Sequence, residues 1–352
     1  MTTKKKLLAV DFFCCAGGVT HGFKKAGINV VAGIDIEAAY RKSYESNNPG
    51  AKFIQADISE LQPVDLRKRL KIKPGMDNLI FVGCSPCQYY TIMQTDKTKS
   101  AKGKLLLEEF KRFVDYFRPG YIFLENVPGL SRKGESPLEN FKNYLRQIGY
   151  VFAEDIVNAA DYEVPQNRLR YVLIASRVNK GVKIPQGSRK RVTVRSALGG
   201  LPVIPAGYRD TNTQQIHWSA RLSPLNLQRL QNTPHNGGTR AAWKDDVNLQ
   251  LACYVGKDDT FPDVYGRMKW DAPGPTITTK FYSISNGRFG HPEQDRALSL
   301  REGAALQSFP HRYRFFGTSQ HVIARMIGNA VPPEMAKWIG INIRKLYSRA
   351  AI

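Results

Sequence analysis

Acidic residues are scarce: 30 Asp and Glu stand against 52 Lys and Arg, a formal net charge of +22 over 352 residues. The excess runs along the whole length rather than sitting in a tail, which points to a polyanionic partner without choosing DNA over RNA. Cysteine is scarce as well. Cys14, Cys15, Cys84, Cys87 and Cys253 make an odd five, not a disulfide framework for a chain of this size. No apolar run approaches a membrane span; "LIFVGC" and "YIFLENV" are strand-sized. The basic start "MTTKKKLLAVDFFCC" is broken by Asp11 and followed by no signal-type cleavage region, so an intracellular protein is expected. There is no "GKS" or "GKT", which excludes a P-loop cradle for a triphosphate, and there is no internal repeat.

What is present is an alternation of short apolar runs and helical patterns. "KLLAVDFF", "INVVAGIDI", "AKFIQADI", "NLIFVGCS" and "YIFLENV" read as strands. "GGVTHGFKKAG", "AAYRKSYESNN" and "LLLEEFKRFVDYFRPG" read as helices between them. The helix "PLENFKNYLRQIGY" and the strands "VFAEDIVNA" and "RYVLIASR" follow. This pattern predicts an α/β fold with a mostly parallel sheet covered on both faces, with ligands beyond the carboxyl ends of the strands. From about Val178 the periodicity weakens and Gly, Pro, Arg and aromatic residues interleave, which predicts a small strand-rich domain suited to nucleic acid. Helical spacing returns near the end, in "LSLREGAALQSFP", "QHVIARMIGN" and "PPEMAKWIGINIRKLYSRA".

Polar clusters fall at the expected strand ends. Gly17 and Gly18 form a turn between the first strand and its helix, where a ligand can approach backbone closely. Asp35 ends the second strand, where an acid can hold both hydroxyls of a ribose, and Asp57 ends the third. Together they suggest a nucleoside cofactor. In "FVGCSPCQYYT", Cys84 and Cys87 stand three apart, but no second CxxC and no spaced histidines complete a zinc site. A redox pair is not excluded by position alone. Cys84 reads as a small buried hydrophobe, while Cys87 lies past the strand at the sheet rim, where a nucleophile belongs. Glu125 and Asn126 end the fifth strand, next to the fourth. A partly desolvated carboxyl at Glu125 would be able to hold a proton near neutral pH, or would merely cap or pair. In "VPQNRLRYVLIA", Gln166, Arg168 and Arg170 alternate, so both arginines face one side of a strand. The Lys-rich "QTDKTKSAKGK" after Cys87 reads either as a solvated loop or as a basic flap over a polyanion.

Taken together and in order, these blocks resemble a DNA cytosine-5 methyltransferase of the bacterial or phage type. "DFFCCAGG" resembles its first cofactor block, "SPCQ" the nucleophile block, "ENVPG" the acid block and "QNRLR" the arginine block. "YGRMKWDAPGPTITTKF" resembles the end of a target-recognition segment, and "REGAALQSFP" and "IARMIGNAVPP" the closing blocks. The resemblance implies a Rossmann-like S-adenosylmethionine-dependent fold in three parts. These are a catalytic domain over 1–177, a target-recognition domain over 178–316, and a segment over 317–352 that returns to the first. It implies Phe13, Gly17, Gly18, Asp35, Ile36, Asp57, Ile58, Pro86, Asn329 and Val331 at the cofactor. It implies Cys87, Glu125, Arg168 and Arg170 in catalysis, and Gln88, Asn126, Gln166, Lys97, Lys99 and Lys102 at the substrate. Where the family commonly has Gly and Phe, this chain has Cys15 and Ser85, and a shifted backbone is expected at Cys15.

The chemistry implied is methyl transfer to carbon 5 of a cytosine flipped out of double-stranded DNA. The Cys87 thiolate adds at carbon 6, Glu125 protonates ring nitrogen 3, Arg170 holds the ring oxygen and Arg168 stands near the thiolate. A monomer acting on bacterial or phage DNA in the cytoplasm is expected, with a companion restriction endonuclease as a possible partner and no metal. Two other readings stand beside it: the same chemistry on tRNA, and a nucleic-acid-binding protein with a dead site. The long variable segment favours DNA over the first, and intact Cys87, Glu125, Arg168 and Arg170 argue against the second.

Overall fold

The computed structural model describes residues 5–85, 101–132, 137–188, 190–209, 216–257 and 260–349. Strands and helices alternate in the first half: β1 (Leu8–Phe12), α1 (Gly18–Lys25), β2 (Asn29–Asp35), α2 (Arg41–Asn47), β3 (Lys52–Gln55), α3 (Pro63–Leu70), β4 (Leu79–Gly83), α4 (Ala101–Phe117), β5 (Tyr121–Asn126), α5 (Gly129–Arg132), α6 (Pro137–Gln147), β6 (Val151–Asn158) and β7 (Leu169–Ser176). Helices follow in the remainder: α7 (Val194–Leu198), α8 (Pro224–Gln231), α9 (Leu300–Leu306), α10 (Gln320–Gly328) and α11 (Pro333–Arg349). The seven strands form one sheet in the order β3-β2-β1-β4-β5-β7-β6. The first five are parallel, while β7 runs antiparallel to β5 and to β6. The order reverses between β1 and β4, which is where open α/β sheets leave a crevice beyond their carboxyl ends.

The strands hold the sheet's middle because they are apolar on both faces. All of β4 and β5 is buried, the latter ending in Glu125 and Asn126. On one face, Phe12 meets Phe81, Phe110 and Phe113 with ring centroids 5.0, 5.3 and 5.2 Å apart, and Phe117 closes on Phe81 at 5.4 Å. The same cluster takes in Leu107, Leu138 and Phe141 from α4 and α6. On the other, α1 and α11 approach so closely that a Cβ on Gly22 would lie 2.3 Å from the Pro333 carbonyl oxygen. No helix of the described residues is long and apolar enough to cross a membrane.

The chain divides into two compact units. The first holds Met1–Tyr162, Leu169–Gly187 and Val331–Ile352; the second holds Glu163–Arg168 and Ser188–Ala330. Set beside the limits expected from the sequence, at 177/178 and 316/317, the final return begins at Val331, and α10 belongs with the second unit. The strand-rich character expected there is corrected. Among its described residues there are short helices and 3-10 turns, and the only pairings are the isolated bridges Gln166↔Gly274, Arg267↔Gly290 and Gly290↔Ala297.

Buried guanidinium groups take the place of a ladder. Arg267, fully buried, donates to the carbonyls of Thr233, His291, Gln294 and Leu230 at 2.7–3.1 Å and pairs with Asp295. Arg296 grips the Glu302 carboxylate with two hydrogen bonds of 2.7 and 2.6 Å, and Glu302 also closes a capping box with Ser299 at the start of α9. Side chains of this kind satisfy loop carbonyls that a β-ladder would otherwise serve.

Removing one ring from the aromatic cluster leaves a void that its close-packed neighbours fill only in part. Phe12→Ala is therefore expected to lower unfolding free energy by about 3–5 kcal/mol, read as a shift of the urea midpoint at unchanged slope.

Candidate active site

The first turn is bent by three residues with positive φ: Phe13 at 61°, Cys15 at 49° and Gly17 at 91°. Gly17 caps α1 and, having no side chain, makes no side-chain cap there. A Cβ on Gly17 would stand 2.5 Å from Asn48 Nδ2 and 2.9 Å from the Tyr44 ring. Only glycine fits, on both conformational and steric grounds. Cys15 holds a left-handed conformation that glycine adopts freely, which gives a physical sense to the family's preference there. Its amide nonetheless reaches Asp35 Oδ2 at 2.8 Å.

Asp35, at the end of β2, also accepts from the Glu37 amide at 3.0 Å, so it ties the first turn to the second strand's end. Burial holds its carboxyl above the usual range. Ile36 beside it is 58% exposed, a large apolar side chain left open at the carboxyl edge. Asp57 lies two residues beyond β3 and accepts from the Ser59 amide and hydroxyl at 2.9 and 2.7 Å. Ile58 is buried in the core cluster, so its side chain is not open to a ligand. Phe13 packs, partly buried, against the same cluster, and Gly18 is buried in α1. Val331 is buried in the first unit, and in the second Asn329 caps the end of α10 and is exposed.

Across the sheet's midline, Glu125 is 7% exposed, and its Oε1 lies 2.9 Å from Arg170 Nε. The strand register explains the meeting: Glu125 lies opposite Val172, so Arg170 is its diagonal neighbour on the same face. Asn126 directs its amide at the Ser85 carbonyl, at 3.4 Å, and thus holds the chain just before the segment that carries Cys87. Pro86, Cys87, Gln88, Lys97 and Lys99 lie outside the described residues, as does the side chain of Lys102. Cys84 is half-exposed rather than buried, since β4 already ends at Gly83.

Two expected site residues are otherwise engaged in the second unit. Arg168 precedes β7 and is 3% exposed, donating to the carbonyls of Ile277, Gly328 and Ala330 at 2.9, 3.1 and 3.2 Å. It therefore does not share a strand face with Arg170. Gln166 is fully buried. Its amide nitrogen donates to Leu306 O and Gln307 Oε1, and its oxygen accepts from the Ile277 amide, so its polar atoms are spent inside the protein rather than offered to DNA.

The sequence model of the C-5 cytosine-specific DNA methylases matches residues 7–345. The chain belongs to that family. A Type II methylase of Herpetosiphon aurantiacus, M.HgiDII, is 38% identical over 96% of this chain and 94% of its own. The Type II methyltransferase M.DdeI of Desulfomicrobium norvegicum is 29% identical over 95% and 88%. Among solved structures, an E. coli prophage-encoded protein described as a DNA modification methyltransferase shares the fold at a TM-score of 0.75 and 23% identity, covering 97% of this chain and all of its own. The protein is thus a DNA cytosine-5 methyltransferase with the Rossmann-like sheet of its class.

One buried acid beneath the first turn of this methyltransferase was not read from the sequence as more than an interruption. Asp11, which interrupts the apolar first strand, is 1% exposed; Thr20 Oγ1 donates to its Oδ2 at 2.7 Å and lies 2.9 Å from the Tyr44 hydroxyl. Its Oδ1 has no hydrogen-bond partner among the described residues. Burial pushes the Asp11 carboxyl up from 3.8 to about 7, eased by the Thr20 hydroxyl and aggravated by Asp35. The folded protein therefore keeps a proton that the unfolded chain releases between pH 3.8 and about 7. Asp11 thus disfavours the folded state increasingly as pH rises through that window. Asp11→Asn keeps an acceptor for Thr20 and cannot ionise. Its melting temperature is expected to exceed that of the native protein by more at pH 8 than at pH 4.5; an equal difference at both would show that Asp11 does not titrate there.

Proposed function

We propose that this enzyme transfers the methyl group of S-adenosylmethionine to carbon 5 of a cytosine flipped out of a specific double-stranded DNA sequence, through a covalent bond from Cys87 to carbon 6. The Glu125–Arg170 pair carries the reading: Glu125 stands on β5, next to β4, whose chain continues through Ser85 and Pro86 to Cys87, and Arg170 reaches it from β7 on the far side of β5. Residues of the first unit suit the donor. Asp35 has lone pairs left for ribose hydroxyls, Ile36 offers an open apolar surface to an adenine, and the α1 start presents backbone at Gly17. The donor, when bound, supplies an activated methyl group.

The rest is the chain's own work. Carbon 5 of cytosine is a poor nucleophile until the Cys87 thiolate adds at carbon 6 and makes the ring enamine-like. Glu125 holds a proton at ring nitrogen 3 against the charge that builds there, and Arg170 both steadies Glu125 and faces the ring oxygen. Arg168 acts through backbone, holding the segment that leads into β7. After transfer, a base removes the proton from carbon 5 and the sulfur leaves. The second unit reads base edges, and the excess of basic residues meets phosphates, so binding weakens steeply with salt. As the relatives' Type II names suggest, we place the enzyme, acting as a monomer, beside a restriction endonuclease of the same specificity.

Labelled methyl transfer to duplex DNA and to tRNA tests the substrate: transfer to duplex alone is expected, and transfer to tRNA alone would contradict the reading. Cys87→Ala is expected to abolish transfer, a loss of at least about 10³-fold, while donor binding by calorimetry is kept. Retained transfer would remove Cys87 from its role.

A further inference from the structure

The cations of this protein are not confined to the site's end of the sheet. Because β1 to β5 are parallel, their amino ends share the opposite edge, and the chain ahead of β1 and β4 carries unmatched charge there. Lys5 and Lys6 precede β1, and Lys71 and Lys73 precede β4; all four are exposed. Hydrogen bonds hold these segments together: the Asn78 side-chain amide donates to the Lys6 carbonyl at 2.7 Å, and the Leu8 backbone amide donates to the Asn78 carbonyl at 2.9 Å. On the other side, the Tyr347 hydroxyl of α11 donates to the Lys5 carbonyl at 3.1 Å, which brings exposed Lys345 and Arg349 to the same edge. The last turn of α3 adds Arg67, Lys68 and Arg69 nearby.

Two acids at this edge are already matched, Asp77 by Arg177 at 2.7 Å and Asp115 by Arg118 at 3.3 Å. Among the described residues none of Lys5, Lys6, Lys71, Lys73, Lys345 and Arg349 has a carboxylate within ion-pair distance. Helix carboxyl ends attract cations on their own account. The helices α1, α2, α3, α4, α6 and α11 end here, each worth roughly half a negative charge, about −3 in all. Six full charges, with those of α3 besides, outweigh that. A solvated face of mixed sign would serve solubility; outside the two matched pairs, this one is positive.

We propose that this edge, formed by Lys5, Lys6, Lys71, Lys73, Lys345 and Arg349, is a second phosphate-binding face that holds another segment of duplex DNA while the site at the strands' carboxyl ends works on the first. It reads no sequence, since it presents ammonium and guanidinium groups and no base-reading scaffold. Its effect is on search: a chain holding two duplex segments passes between them without full release, and gains residence on long DNA over short.

Short duplexes of random sequence, titrated at low salt and followed by sedimentation, test this in the whole protein. Two duplexes per chain are expected for the native protein and one for the variant Lys71→Glu/Lys73→Glu/Lys345→Glu, with the second affinity lowered at least about tenfold and the salt slope smaller by about three. Methyl transfer to a short duplex is expected to be equal in both, which also shows that the variant folds, while transfer on long DNA slows in the variant. Equal stoichiometry in the two proteins overturns the proposal. So does a native protein that takes one duplex and instead sediments with phosphatidylserine vesicles through the same lysines. Absence of methyl transfer in both, with the two-to-one stoichiometry intact, would count against the proposed reaction and leave this face standing.

Discussion

A carboxylate and a guanidinium, 2.9 Å apart and nearly closed off from water, stand where β5 ends and the neighbouring strand β7 begins. Neither group would be tolerated alone there, because an unpaired buried charge costs several kcal/mol. The antiparallel entry of β7 is what supplies the arginine: a parallel strand in that place would bring a different register and a different end to the rim. Ahead of the pair, Asn126 fastens Ser85, so the acid strand also sets where the segment leading to Cys87 departs. A positive group beside the acid, and a fixed route for the chain that carries Cys87, are what the proposed chemistry asks of this corner.

The donor side depends on a different constraint. The chain must turn sharply between β1 and α1, and it does so with three left-handed residues, two of which are not glycine. Such backbone is held in place by its surroundings. Here the hold comes from Asp35, which takes the Cys15 amide, and from Tyr44 and Asn48, which leave no room for a side chain at Gly17. Beneath the turn, Asp11 is buried with one oxygen unmatched among the described residues, a cost set next to the turn where the proposed donor would approach. Stability and function pull apart at this point, as they do in many sites.

Much of this was legible in the residues. Apolar runs of strand length ending in Asp35, Glu125 or the SPCQ segment gave the sheet, its parallel sense and the edge that carries the site, because buried strands advertise themselves and their polar ends stand out. Less legible was anything decided by partners distant in sequence. Gln166 and Arg168 look like site residues by spacing, yet carbonyls of residues 277, 306, 328 and 330 claim them. The second unit looked strand-rich from its Gly and aromatic content, but Arg267 and Arg296 satisfy its loops instead, and composition does not distinguish a guanidinium that binds phosphate from one that binds backbone. Asp11 was visible as an interruption in an apolar strand; only the fold shows that Thr20 and Tyr44 gather around it.

The account turns on a transient bond from sulfur to a pyrimidine ring. A duplex carrying 5-fluorocytosine at the enzyme's site tests it most directly, because fluorine cannot leave carbon 5 as a proton does and the adduct is held. With S-adenosylmethionine present, the account predicts a protein–DNA species that survives denaturation and whose mass equals protein, duplex and one methyl group, with the link mapped to the peptide containing Cys87. Complete turnover on ordinary cytosine with no such species on the fluorinated duplex would contradict it.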